Sequence, residues 1–171
     1  RQVLERFAPV VEAASIDEWY LDLAGTEALY RQEPLATTAP RIRVAIRRDT
    51  GLHVSFGGGT SKLVAKLAVE RAKPKAGHDA DGVYVVPAGG EATFLHGVPL
   101  ADIPMIGPRF QERLVRFGMH TVPDVLAYDE AALAHWLGAR EARWLYERAR
   151  GIDDRDVARR LDTKSISRDE T

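Results

Sequence analysis

The chain has no cysteine in its 171 residues. That excludes a disulfide framework, a thiolate metal centre and a cysteine nucleophile. It has no long hydrophobic run. The longest are a few residues, such as Val83-Tyr84-Val85-Val86, where a membrane-spanning helix needs roughly 20. No secretory signal opens the sequence, and an intracellular, cytoplasmic protein is the expectation. The five histidines (His53, His78, His96, His120 and His135) show no i, i+4 pair and no His-Glu-x-x-His pattern, so a histidine zinc site is not expected. There is no Gly-x-Ser-x-Gly elbow to expose a nucleophilic serine. What is present is a globular composition, 45% hydrophobic and 29% charged, long enough for one ordinary domain or two small ones.

Net charge is scarce too, at −1, but it is segregated. The first forty residues are acidic on balance. Residues 41–78 carry nine basic side chains (Arg41, Arg43, Arg47, Arg48, Lys62, Lys66, Arg71, Lys73, Lys75) against Asp49 and Glu70. Such a block is either an ordinary solvated face or an anion-binding surface beside a cation-binding one.

Periodicity divides the chain in two. Val10–Ser15 and Trp19–Leu23 read as strands, with Ile16, Asp17 and Glu18 between them, so a hairpin would carry two carboxylates at its turn. Residues 40–51 fit either a strand or a helix, and Pro40 in a first turn with Gly51 just past the end favours a helix. Leu52–Phe56 alternates as a strand. After Gly57-Gly58-Gly59, a helix opens at Thr60-Ser61-Lys62 with Leu63, Val64, Leu67, Ala68 and Ala72 as its apolar face. Lys62, Lys66, Glu70 and Lys73 share another face. Pro74 ends that helix, and Gly82–Val86 is a further strand. From residue 91 onward only helical signals appear: Glu91–His96, Pro108–Phe117, Pro123–Tyr128, Ala131–Leu137 and Arg140–Arg150, with Trp136 and Trp144 expected in their core.

Three constellations could carry chemistry. Asp17 and Glu18, brought together at a turn, suit a hard cation such as Mg²⁺, which takes oxygen ligands; solvated acids are the plain alternative. Gly57–Lys62 lies between a strand and a helix N-terminus, where backbone N–H groups, the helix dipole and the Lys62 ammonium could receive a triphosphate; an ordinary capped helix is the alternative. Ile103–Pro108, leading into the helix that ends at Gly118, could form a helix-hairpin-helix that offers backbone N–H groups to nucleic-acid phosphates, or an αα-hairpin that binds nothing.

In this order the three features resemble the Y-family, or translesion, DNA polymerases, and most closely their DinB or polymerase IV branch. Val11–Asp22 is similar to the family's Ser-Ile-Asp-Glu and Tyr-Leu-Asp run. Thr50-Gly51-Leu52, Ser55, Gly57, Ser61–Lys66 and Ala72-Lys73-Pro74 resemble its second palm block. Ile103-Pro104 and Ile106-Gly107-Pro108 resemble its thumb hairpin, and Lys164-Ser165-Ile166-Ser167 the lead into its little finger.

The resemblance implies an α+β chain. Residues 1–90 would be a catalytic palm remainder with an antiparallel, ferredoxin-like sheet. Residues 91–155 would be a small all-α thumb, and 156–171 a linker toward a little finger. It implies template-directed addition of dNTPs to a primer 3′ end by two-metal nucleotidyl transfer. Asp17 and Glu18 would hold two Mg²⁺ ions as catalytic ligands, and Lys62 would contact the nucleotide. Ile106, Gly107, Lys66 and Lys73 would contact DNA. Primer–template DNA and a dNTP would be the partners, with a sliding clamp reached through a C-terminal segment, at the nucleoid. The family's first metal-binding Asp, its fingers and its little finger have no counterpart in this sequence, so the segment by itself is expected to be inactive. Met105 stands where the family has the hairpin's first glycine. Gly58 and Gly59 replace Ile-Ala or Ile-Ser, which predicts a more mobile loop before Lys62. Trp19 replaces a small residue. Two rival readings remain: a non-catalytic DNA-binding scaffold of the same fold, and a bare helix-hairpin-helix module. The scaffold has no need of both acids, and the module explains neither Lys62 nor the acids.

Overall fold

The computed structural model describes residues 1–74 and 81–158; Lys164–Ser167 lies outside them. A one-turn 3₁₀ helix, Leu4–Arg6, precedes Pro9. Strands β1 (Val10–Ala13) and β2 (Trp19–Asp22) then form the antiparallel hairpin, with Glu12 opposite Tyr20 and Ala13 opposite Trp19. The connection closes tightly because the backbone N–H groups of Ala14 and Ser15 both donate to the Glu18 carbonyl, at 2.9 and 3.2 Å.

Helix α1 runs over Leu35–Thr50, five residues earlier than the sequence suggests, and Pro40 lies inside it rather than in its first turn. A proline there removes an N–H and crowds the preceding turn. Burial of Thr38, Ala39 and Ile42 against the rest of the molecule holds the helix together across it. Gly51 ends the helix at φ +74°, its N–H on the Arg47 carbonyl, as expected of a C-terminal glycine. The strand expected over Leu52–Phe56 shrinks to β3, Phe56–Gly58. Leu52 is 63% exposed. The Arg43 guanidinium takes the Val54 carbonyl at 2.7 Å, so that stretch of backbone bonds to a side chain instead of a strand.

Between β3 and β4 (Val83–Val85) lies α2, Lys62–Ala72, capped by the Ser61 hydroxyl, which accepts from the Val64 N–H. Because a helix intervenes, β3 and β4 pair parallel, while the antiparallel pairing expected of the sheet is that of β1 with β2. The Gly57–Gly59 run is part of this packing. A Cβ on Gly57 would lie 2.3 Å from the Val69 nitrogen and 2.4 Å from the Ala65 carbonyl oxygen, both backbone atoms of α2. Gly57 and Gly58 are strand residues, with the Val86 N–H on the Gly58 carbonyl. The expected mobile loop is therefore a strand edge against which the helix backbone lies directly.

The remaining helices are α3 (Glu91–His96), a 3₁₀ turn at Leu100–Asp102, α4 (Pro108–Arg116), α5 (Val122–Leu126), α6 (Glu130–Leu137) and α7 (Ala139–Ala149). Asp124 and Asp129 accept backbone N–H groups at the starts of α5 and α6. Leu95, Leu100, Ile103, Leu114, Met119, Val122, Val125, Leu133 and Leu145 are buried together. Leu63 and Leu67 of α2 belong to the same core, so α2 serves both halves of the chain. Trp136 and Trp144 pack on the rim of this core rather than in it. Trp136 stacks on Phe117 at 5.4 Å and meets Tyr128 edge-on at 4.8 Å, and Trp144 sits 6.0 Å from Phe110. Among the described residues no helix is long and apolar enough to cross a membrane.

The turn before α4 contains a strained residue. Met105 adopts φ +77°, in the left-handed region, and its side chain is 77% exposed. A non-glycine residue there costs about 1–2 kcal/mol, partly offset by the entropy a glycine would lose on folding. Met105→Gly is expected to stabilise the protein by about 0.5–1 kcal/mol. An unchanged or lower midpoint on thermal unfolding would show that the methionine is not strained there.

Candidate active site on the β1–β2 turn

The hairpin lifts Ser15–Glu18 clear of the sheet. Ile16, at the tip, is 98% exposed, and Asp17 next to it is exposed too. The Ser15 hydroxyl donates to Asp17 Oδ1 at 2.6 Å. That bond, a backbone N–H, and the charges of Lys66 and Lys73 hold the Asp17 carboxyl below its ordinary range. Asp17 is thus ionised and presents its lone pairs outward. Glu18 pairs with Lys66 from α2, both side chains partly exposed. Adjacent residues on a flat strand would point to opposite faces; the turn is what allows both acids to face α2 and the solvent above it.

Helix α2 supplies the opposing charge in steps of one turn. Lys62, at its first position, lies against the base of the hairpin, with Nζ 2.5 Å from Glu12 Oε2 and 5.3 Å from the centre of the Tyr20 ring. The two side chains are 9% and 6% exposed. The Lys62 ammonium is thus paired with a buried carboxylate. One turn on, Lys66 meets Glu18. Lys73, just past the helix end, shares Glu70 at 2.6 Å and is half exposed. The lysines whose charge reaches Asp17 are Lys66 and Lys73.

Glu12 escaped the sequence reading, as did Asp153. The one signal for Glu12 is a lone acid inside an apolar strand, between Val10-Val11 and Ala13-Ala14. Asp153 lies in the extended segment after α7 and carries no pattern at all. Its side chain is fully buried. It accepts from the Leu63 N–H at 3.0 Å and pairs with Arg155 at 2.7 Å and Arg148 at 3.5 Å. Burial alone would raise its pKa, but the two arginines outweigh that and hold it below the ordinary range.

At the other candidate, the turn Ile103–Gly107, the Ile106 N–H donates to the Ile103 carbonyl and the Gly107 N–H to the Met105 carbonyl, each at 3.1 Å. Ile106 is buried. Both amides thus have partners within the turn, whose exposed members are Met105 and Gly107.

The donor set at the hairpin is two carboxylates with no sulfur or imidazole, which suits a hard divalent cation. Among the described residues no three metal-ligating side chains converge, so Asp17 and Glu18 offer part of a coordination sphere that further donors would complete.

Residues 1–70 match the impB/mucB/samB family. The chain is 38% identical over 169 residues to DNA polymerase IV of Dehalococcoides mccartyi strain CBDB1, covering 99% of this chain and 41% of that protein. It is 40% identical over 166 residues to DNA polymerase IV of Halorhodospira halophila, covering 96% and 44%. Its fold superposes on the insertion ternary complex of Dbh DNA polymerase with a TM-score of 0.75 at 26% identity, over 91% of this chain and 43% of that one. DinB from Sulfolobus solfataricus gives 0.74 at 26% identity, over 91% and 44%. By sequence the chain is similar to DNA polymerase IV proteins, and by fold to the Dbh and DinB polymerases. It spans less than half the length of the curated relatives it matches.

Proposed function

We propose that this chain carries part of the catalytic centre of a template-directed DNA polymerase of the lesion-bypass kind, which extends a primer 3′ end with dNTPs. The observation that carries the reading is the pair of adjacent acids Asp17 and Glu18 on one solvent-open turn, with Lys66 of α2 paired to Glu18 and the charges of Lys66 and Lys73 reaching Asp17. Asp17 and Glu18 would be ligands of the two Mg²⁺ ions. Bound there, the ions would lower the pKa of the primer 3′-hydroxyl and offset charge developing at the α-phosphate. Ser15 keeps Asp17 ionised and oriented for that task. Glu18 exchanges its Lys66 partner for a cation, which frees the Lys66 ammonium for a phosphate. Lys66 and Lys73 would contact the triphosphate and would also meet the DNA backbone. Residues 91–155 would act as the thumb and hold duplex DNA through the exposed side of the Ile103–Gly107 turn.

The test is primer extension by the full-length protein with Mg²⁺ and dNTPs. Extension supports the reading. Binding of primer–template without extension would favour the non-catalytic scaffold instead. A second expectation concerns Lys73. A point charge on a phosphate is worth about 1–2 kcal/mol, so Lys73→Ala is expected to raise the apparent dNTP KM about tenfold with a smaller effect on kcat. An unchanged nucleotide dependence would remove Lys73 from the site.

A further inference from the structure

Besides the charged groups on the turn, the hairpin and α2 share a buried ion pair. Glu12 Oε2 accepts from Lys62 Nζ at 2.5 Å and from the backbone N–H of Ala158 at 2.7 Å. Asp153 accepts the Leu63 N–H from the opposite side of the same helix start, and the Ser61 hydroxyl reaches the Gly151 carbonyl at 3.4 Å. The first turn of α2 is therefore gripped between β1 and the segment that leaves α7. Glu12 touches both.

A buried ion pair is a poor source of net stability, since the cost of desolvation offsets much of the attraction. Its geometry, however, is demanding, because neither charge tolerates losing its partner. Glu12 lies five residues before Asp17 on the strand that feeds the turn. Lys62 lies one helical turn before Lys66, on the same face of α2. Fixing Glu12 to Lys62 consequently fixes the height at which Lys66 and Lys73 stand opposite Asp17 and Glu18. The Ala158 contact extends the same register to residues 151–158. We propose that Glu12 is a positioning residue: through Lys62 it sets the register of α2 against the acid-bearing turn, and through Ala158 it ties the segment after α7 to that register. This rests on the polymerase reading, in which Lys66 and Lys73 meet phosphates.

The experiment is steady-state nucleotide incorporation by the full-length protein carrying Glu12→Gln or the double substitution Glu12→Met/Lys62→Met. The double variant keeps the side-chain volume and leaves no buried charge unpaired, so it folds even where the single variant does not. Both are expected to raise the dNTP KM about tenfold, with kcat within about threefold and primer–template affinity within about twofold. Glu12→Asp, which keeps the charge but is one methylene shorter, is expected to recover part of the loss. A folded variant with wild-type nucleotide KM overturns the proposal. So does a fall in kcat alone, which a merely structural loss would give. Should the wild-type protein itself not extend a primer, it is the polymerase reading that fails. The tie is then judged by hydrogen exchange of the Ala158 amide: faster exchange in the double variant supports it, and wild-type exchange overturns it.

Discussion

Alanine at Asp17 or Glu18 in the full-length protein is expected to lower primer extension on the order of 10³-fold, with primer–template affinity kept within about twofold. The magnitude is that of removing one pre-organised electrostatic contact to the charge developing in a transition state, about 3–4 kcal/mol. The two positions are expected to differ in one respect. Asp17 is held ionised by Ser15, so Asp17→Asn keeps the shape and loses the charge, and it should be as inactive as alanine. Glu18 is paired with Lys66, so Glu18→Ala also releases a lysine beside the site. The dNTP is then expected to bind more tightly while turnover falls. Single-turnover incorporation, with binding of labelled primer–template measured in parallel, separates the two effects. Incorporation within tenfold of wild type in both alanine variants would remove the acids from the chemistry.

The second large effect is on stability and falls on Gly57. Alanine there places a methyl group 2.3 Å from the Val69 nitrogen and 2.4 Å from the Ala65 carbonyl oxygen. Both are backbone atoms of a hydrogen-bonded helix, so no rotamer change relieves the clash, and α2 must lift from β3. Overpacking against flexible side chains costs about 1–3 kcal/mol, and a clash with two backbone atoms belongs at the upper end, about 3 kcal/mol. Gly57→Ala is expected to lower the thermal midpoint by several degrees and, because α2 carries Lys66 and leads to Lys73, to weaken nucleotide use in the protein that still folds. Gly51→Ala is the matched control. A Cβ there meets no atom within 4 Å, so only its positive φ is disturbed. Equal effects at the two glycines would show that close helix–strand contact is not what Gly57 provides.

These residues also show where sequence reasoning reached and where it stopped. The hairpin, the acids at its turn, the apolar face of α2 and the series of helices after residue 90 were all legible, because each depends on local periodicity or on an end signal within a few residues. Pro40 misled, since local rules place a proline in the first turn, whereas burial of Thr38, Ala39 and Ile42 carries α1 past it. The glycine run misled in chemistry. Glycine spacing before a helix reads equally as a phosphate cradle or as close packing, and which one holds depends on what lies against the backbone. Lys62 and Lys66 are four apart on one helix face and indistinguishable in sequence. One is buried on Glu12 and the other meets Glu18 only because the hairpin lies along α2 at a particular height.

The sequence by itself determined the two acids, the turn that presents them, the helical second half and the resemblance to Y-family polymerases, because these follow from short-range pattern and ordered motifs. Only the tertiary structure decided which lysine pairs with which acid, that the backbone of α2 lies directly against Gly57, that the Ile106 and Gly107 amides bond within their own turn, and that Glu12 and Asp153 bond to the start of α2. Those outcomes depend on contacts between residues up to 146 positions apart. The energies that choose among them, desolvation of a charge and overlap of backbone atoms, arise only when distant segments are packed together.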